Sequence, residues 1–297
     1  MKEDLITVII PVYNHENYVQ DTINSIIEQT YNNIELIVIN DGSQDQSNKM
    51  IELISAQCNQ RFFKFTHIDK KNEGIIKTLN AGIKLAQGKY LYIIASDDIA
   101  EHNALKTLHE FLSVNLDYAL AVGGNTLMDD EGKQCYWNKD SEILYDKNEA
   151  VYISFDDYLR KSRPNLNFLS DEFGTYTNIL IGNHVPNGYL LEKSTIDDFG
   201  GYSEASPLED LYLMLQISKR KKLKFIEQPL FRYRWHANNS IKSTVKIGQI
   251  QHQTILQEYK YCIKNGYISL WLKRAYLPGL KYQFNKVKSL LKTGKTN

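Results

Sequence analysis

The chain has 297 residues, with 35 Lys+Arg balancing 35 Asp+Glu. A neutral balance gives no footing for a polyanionic partner such as nucleic acid. Its three cysteines, Cys58, Cys135 and Cys262, fit neither a disulfide framework nor a zinc spacing, which predicts a reducing, cytoplasmic setting. The acidic start Met1-Lys2-Glu3-Asp4 does not read as a signal peptide, and no apolar run approaches the roughly 18 residues of a membrane span.

In chain order, residues 5–12 form an apolar strand ended by Pro11 and the polar Asn14-His15. Val19, Ile23, Ile26 and Ile27 then repeat at helical spacing. Strands are predicted over 34–39, 62–68, 90–95 and 118–122, and helices over 46–57, 75–86 and 101–115. Near-continuous apolar strands alternating with helices predict an α/β fold with a mainly parallel sheet covered on both faces. In such sheets ligands bind beyond the carboxyl ends of the strands. Four polar turns fall there: Pro11-Val12-Tyr13-Asn14, Asn40-Asp41-Gly42-Ser43, Asn72-Glu73-Gly74 and Ser96-Asp97-Asp98.

The stretch from Tyr90 to Asp98 drives a buried strand into two adjacent carboxylates. Neighbouring acids at the end of a buried strand repel and lose hydration, so something must compensate. A hard divalent cation shared with a substrate phosphate is one answer. Ser96 or Asp97 capping the next helix is another.

Residues 128–183 are polar and lack periodicity, which predicts an irregular excursion over the rim. Strand character returns at 189–193, followed by the turn Asp198-Phe199-Gly200-Gly201-Tyr202. An amphipathic helix over 208–218 opens with Glu209 and Asp210, acids that a helix dipole favours in any case. Two short strands flank Gln228-Pro229. After Glu258 come nine Lys or Arg and no acid, with Leu280, Phe284, Val287 and Leu291 along one helical face. Such a tail either rests on an anionic membrane surface, making the protein peripheral to the inner face of the plasma membrane, or packs back on the domain.

Together these motifs resemble the family-2 glycosyltransferases of the GT-A fold, in six ordered pieces over about the first 240 residues. The resemblance implies a nucleotide-sugar-binding half (1–125), an acceptor and catalytic-base half (126–240) and a basic helical tail (241–297). It implies a nucleotide site at Pro11, Tyr13, Asn14, Asp41, Asn72 and Asp97, with Asp41 meeting uracil or ribose. Asp98 would bind the cation, Mn2+ or Mg2+, with His236 of Tyr233-Arg234-Trp235-His236 as a further ligand. Gly201 belongs to the acceptor-side turn, and Asp210 is the implied general base, with Glu209 in reserve. Adjacent helical residues point about 100° apart, so only one of that pair is expected to face the site. The sequence departs from the pattern at Ala95, where many members carry Asp, and at Leu79, where many carry Arg. Lys77 or Lys71 is the expected substitute for that arginine.

The implied reaction is inverting transfer of a hexose from a UDP-sugar to a saccharide hydroxyl, lipid-linked, in bacterial surface-polysaccharide synthesis. The missing acid at Ala95 keeps open a non-catalytic nucleotide-sugar-binding protein. A nucleotidyltransferase or dehydrogenase on the same scaffold is disfavoured, because the first βα loop lacks Gly-x-Gly-x-x-Gly. No full P-loop Gly-x-x-x-x-Gly-Lys-Ser/Thr is present, since Gly294-Lys295-Thr296 has Ser289 where the upstream glycine belongs. His15, His67, His102 and His109 read as solvated or capping residues.

Overall fold

A computed structural model describes residues 3–276. The basic stripe at Leu280, Phe284, Val287 and Leu291 lies outside the described residues. The first half alternates as expected: β1 (Ile6–Val12), α1 (Val19–Ile27), β2 (Ile34–Asp41), α2 (Ser47–Arg61), β3 (Lys64–Lys70), α3 (Ile75–Leu85) and β4 (Tyr90–Ile93). Then follow β5 (Ile99–Ala100), α4 (Ala104–Leu112), β6 (Tyr118–Met128), β7 (Gln134–Trp137) and β8 (Ile143–Leu144). The remainder is α5 (Phe155–Ser162), α6 (Tyr176–Ile181), β9 (Tyr189–Glu192), α7 (Lys193–Asp197), α8 (Glu209–Ser218), β10 (Lys222–Arg234), α9 (Thr244–Gln257) and α10 (Tyr259–Lys264).

The main sheet runs β3-β2-β1-β4-β9-β6-β10-β5. β3, β2, β1 and β4 are mutually parallel, as are β6 and β10. β2 is buried along its whole length, which is why its sequence reads as a continuous apolar run. β9 lies antiparallel between β4 and β6, so the second half of the chain threads into the sheet of the first. β6 itself runs through residue 125. The two short strands expected around Gln228-Pro229 are one strand, β10, with register shifts on either side of Pro229. Proline lacks a donor for the ladder, and the irregularity absorbs that loss.

The excursion at 128–183 is more ordered than its composition suggests. It holds the β7–β8 hairpin and the helices α5 and α6. Ser154 caps α5 by accepting a hydrogen bond from the Asp157 amide. With eight and six residues, α5 and α6 are too short to show a period. No helix among the described residues is long and apolar enough to cross a membrane.

Candidate active site

β4 ends at Ile93, and the chain turns through Ala95-Ser96-Asp97-Asp98 at the carboxyl edge of the sheet. The two acids take different surroundings. The Asp98 Oδ1 accepts the Arg234 backbone N–H at 2.9 Å, and Asp98 is 1% exposed. Burial and then the charge of Asp97 push its carboxyl well above the usual range. Asp97 Oδ2 lies 2.9 Å from His236 Nε2 and 3.9 Å from His15 Nε2. Burial alone would raise Asp97, but the His236 hydrogen bond and the fields of His15 and His236 leave it below its ordinary value. The charge of Asp97 beside it favours the protonated form of the buried Asp98, while the imidazoles favour the ionised form of Asp97.

His15, Asp97 and His236 each offer a ligand atom within 4.8 Å of one another. Two imidazoles and a carboxylate suit a transition-metal dication such as Mn2+ better than Mg2+, which prefers all-oxygen sites. This shifts the expected assignment. Asp97 replaces Asp98 as the carboxylate facing the cluster, because Asp98 is turned onto the β10 backbone. His15, expected to be solvated or capping, joins the cluster through Nε2 while its Nδ1 sits 2.8 Å from Ser96 Oγ. His236 is where the resemblance put it. Its backbone N–H donates to Asn239 Oδ1 at 2.6 Å, fixing the loop that carries the ring.

Arg234 builds this corner. Only 1% exposed, its guanidinium donates to the Asp97 carbonyl at 2.7 Å, the Asp130 carbonyl at 3.1 Å and Asp21 Oδ2 at 3.0 Å. It also lies over the Tyr18 ring, 5.0 Å from its centroid. One side chain therefore ties α1, the acid turn and the β6–β7 connection together. The sequence marked Arg234 as a member of the motif Tyr233-Arg234-Trp235-His236, with no sign of its partners.

A cavity of about 270 Å³ opens from this corner. Asp97, Asp98, His15 and Pro11 line one part of it; Tyr189, Tyr202, Glu209 and Asp210 line another. The α8 N-terminus points into the cavity, so both Glu209 and Asp210 reach it, against the expectation that only one would. At a first helical turn both side chains lie near the axis end instead of being divided between opposite faces. Burial, then the charge of Asp210, pushes Glu209 up to about 7. Burial also raises Asp210, opposed by the Tyr189 hydroxyl, which donates to Asp210 Oδ1 at 3.4 Å.

The remaining expected residues divide. Pro11 lines the cavity, as does Ala95. Tyr13 is half exposed beside it in the chain. Asn14 adopts φ 55° and staples the first two rim loops: its N–H donates to Ser43 Oγ at 2.9 Å, and its Oδ1 accepts from the Gln44 amide at 2.8 Å. Asp41 spends its carboxylate within the protein. It accepts the Glu73 and Gly74 amides, each at 2.9 Å, and an ion pair from Lys70. Burial would raise it, but those donors hold it below its usual value. Gly42, at φ +68°, passes so close to this turn that a Cβ would sit 2.6 Å from the Asn72 amide. Asn72 is exposed on that turn.

Lys77 does not reach the cavity. Ile75 and Leu79 of α3 line it, and Lys77, two residues from each, falls on the opposite helical face and is exposed. Lys71 is exposed as well. Gly201 packs its backbone on Asn80, whose Oδ1 would lie 2.6 Å from an added Cβ. Asn80 in turn grips Tyr202, accepting its amide at 2.8 Å and donating to its carbonyl at 2.9 Å. That clamp aims Tyr202 at the carboxyl pair. Of the other histidines, His109 sits 3.1 Å from Asp4 Oδ2 between Tyr31 and Tyr90, and His102 is exposed, neither of them near the cluster.

Comparison with known proteins places this architecture. Residues 7–176 match the sequence family described as Glycosyl transferase family 2. An uncharacterized glycosyltransferase of Rickettsia conorii is 31% identical over 241 residues, 80% of this chain but 35% of that protein. Glycosyltransferase GlyG of Streptococcus pneumoniae is 26% identical over 245 residues, 81% of this chain and 74% of its own length. Among solved structures, S. aureus TarS in complex with UDP-GlcNAc aligns with a TM-score of 0.62 at 15% identity, over 91% of this chain and 72% of that one. The mannosyltransferase PcManGT from Pyrobaculum calidifontis, in complex with GDP-Man and Mn2+, aligns equally well at 14% identity, over 92% and 69%. At such identities the structural likeness is one of fold, the GT-A fold.

Proposed function

The chain belongs to glycosyl transferase family 2, and from that premise we propose that it is an inverting, metal-dependent hexosyltransferase. The donor is a nucleoside-diphosphate sugar, with UDP as the nucleotide, and the acceptor is a hydroxyl of a saccharide. A lipid-linked acceptor in bacterial surface-polysaccharide synthesis remains the setting that the family resemblance implies.

The observation that carries the reading is the placement of two carboxyl pairs in one cavity. Asp97, backed by His236 and His15, stands in one part and Glu209 with Asp210 in another. Asp97, His236 and His15 would hold a divalent cation, which when bound supplies Lewis-acid stabilisation of the leaving diphosphate. Ala95 leaves that set one acid short of many relatives, and the second imidazole supplies the missing ligand. This favours an enzyme over the non-catalytic alternative. Both PcManGT with Mn2+ and TarS with a UDP-sugar are consistent with such a cavity.

Asp210 takes the proton of the attacking hydroxyl. The Tyr189 hydroxyl favours its ionised form, while Glu209, pushed up to about 7, keeps the proton that the pair shares near neutrality. One base acting in a single displacement inverts the anomeric carbon. Tyr202, clamped by Asn80, walls off the pair from water.

The test is release of UDP from a panel of UDP-sugars with Mn2+ present. UDP release abolished by chelator and restored by Mn2+ supports the reading. Tight UDP-sugar binding without release, with or without any saccharide, would leave a binding protein in its place.

A further inference from the structure

Beside the catalytic cavity lies a larger groove of about 910 Å³, within the usual size of small-molecule sites, about 300–1,000 Å³. It runs between the β7–β8 hairpin, α5 and the start of α9. Four aromatics line it: Tyr158 and Trp235 are partly exposed, and Trp137 and Phe155 are buried. Trp137 and Trp235 meet at 4.5 Å between ring centroids, and Phe155 stacks on Tyr233 at 4.8 Å. The rim is polar and acidic, with Asp130, Asp140 and Glu142 against Lys242. The loop after β10 is a wall common to both spaces. Asn238, Asn239 and Ser240 face the cavity, Ala237, Ile241 and Lys242 face the groove, and His236 lines the groove while its ring meets Asp97.

We infer that this groove binds a neutral saccharide chain, the part of the acceptor away from the reacting hydroxyl. The inference rests on the transferase reading above and specifies its acceptor. Flat aromatic faces bury the C–H faces of sugar rings, and carboxylates accept hydrogen bonds from their hydroxyls. Three carboxylates against one lysine repel phosphate, sulfate and anionic lipid headgroups, so the occupant is an uncharged polyol chain. The Lys242 ammonium lies over Trp235, 4.3 Å from its centroid, on an exposed side chain that a sugar ring stacking there has to move aside. Asp140 is exposed on the hairpin tip and leaves its carboxylate directed to solvent and ligand. Because the loop is shared, a chain seated in the groove also braces His236.

Two of the three tryptophans, Trp137 and Trp235, lie in the groove, while Trp271 packs against Tyr259 elsewhere. Intrinsic fluorescence therefore reads occupancy directly, without any transfer reaction. The probes are maltopentaose, cellopentaose and chitotetraose, with a sulfated oligosaccharide and a lysine-rich peptide as charged competitors. At least one neutral oligosaccharide is expected to give a saturable change, weakened about tenfold or more by Trp235→Ala and severalfold by Asp140→Ala. Asp140→Ala, a surface change, should fold normally and release UDP from donor as the wild type does. No saturable change with any neutral probe, a preference for the sulfated sugar or the peptide, or binding unaltered in both variants would each overturn the inference. Mn2+-dependent UDP binding, measured on the same protein, reports separately on the catalytic reading.

Discussion

Glu209→Gln separates electrostatic strain from shape at the second carboxyl pair. In the folded protein the Glu209 carboxyl titrates near about 7, against an ordinary value of 4.5. A carboxyl raised on folding favours the native state below its unfolded value, and that advantage is lost as pH rises through the folded value. At about 1.4 kcal/mol per tenfold change in proton affinity, the full cost above pH 7 is about 3 kcal/mol. By linkage, the smaller part of it is already felt at pH 5 and most of it accrues between pH 5 and pH 8. Glutamine keeps the shape and cannot ionise. Urea unfolding at both pH values should show Glu209→Gln gaining on the wild type by roughly 2–3 kcal/mol more at pH 8 than at pH 5. An equal offset at the two pH values would refute the claim that a buried, proton-sharing pair sits there.

Three further predictions concern the other groups. Asp97→Asn should abolish Mn2+-dependent UDP binding by calorimetry, whereas Asp98→Asn, at a carboxyl whose proton affinity is raised and which faces the β10 backbone, should keep most of it. Asp210→Asn should keep donor binding and lower transfer by at least about a hundredfold, the usual scale for a lost general base, read as kcat against KM. Arg234→Met leaves the Asp97 and Asp130 carbonyls without their donor inside the protein, so urea unfolding should show a loss of about 2–4 kcal/mol, with UDP affinity falling in parallel.

Much of the fold was legible because parallel strands buried on both faces are apolar throughout, as in residues 34–39 of β2. β9 was legible as a strand but not as an antiparallel insertion, since its four residues carry no mark of their partners. The motif positions of the site were legible too, because rim loops follow strands. Which of the two adjacent acids faces the imidazoles of His15 and His236 was not. That choice is made by the Arg234 amide, 136 residues away in sequence, which takes Asp98 and leaves Asp97 open. His15 had a usable signal, since it follows Asn14 in the first rim loop and shares the strand edge with Asp97. The partners of Asp41 were not legible either: two backbone amides and a lysine from the third rim loop meet its carboxylate.

The two carboxyl pairs differ in a way that suits the proposed reaction. At Asp97 and Asp98 the division is strong, since hydrogen bonds and imidazoles lower one acid while burial and its neighbour raise the other. At Glu209 and Asp210 both acids are raised, and only a 3.4 Å contact from Tyr189 separates them. A cation site needs a charge that stays fixed through the cycle, and the first pair supplies it. A base must take a proton and give it back, which needs an acid poised near the working pH. The second pair meets that need through burial, which raises both acids, and the charge of Asp210 raises Glu209 further. The same fold thus makes a permanent anion in one part of the cavity and a reversible one in another, by surrounding the first with donors and leaving the second almost without them.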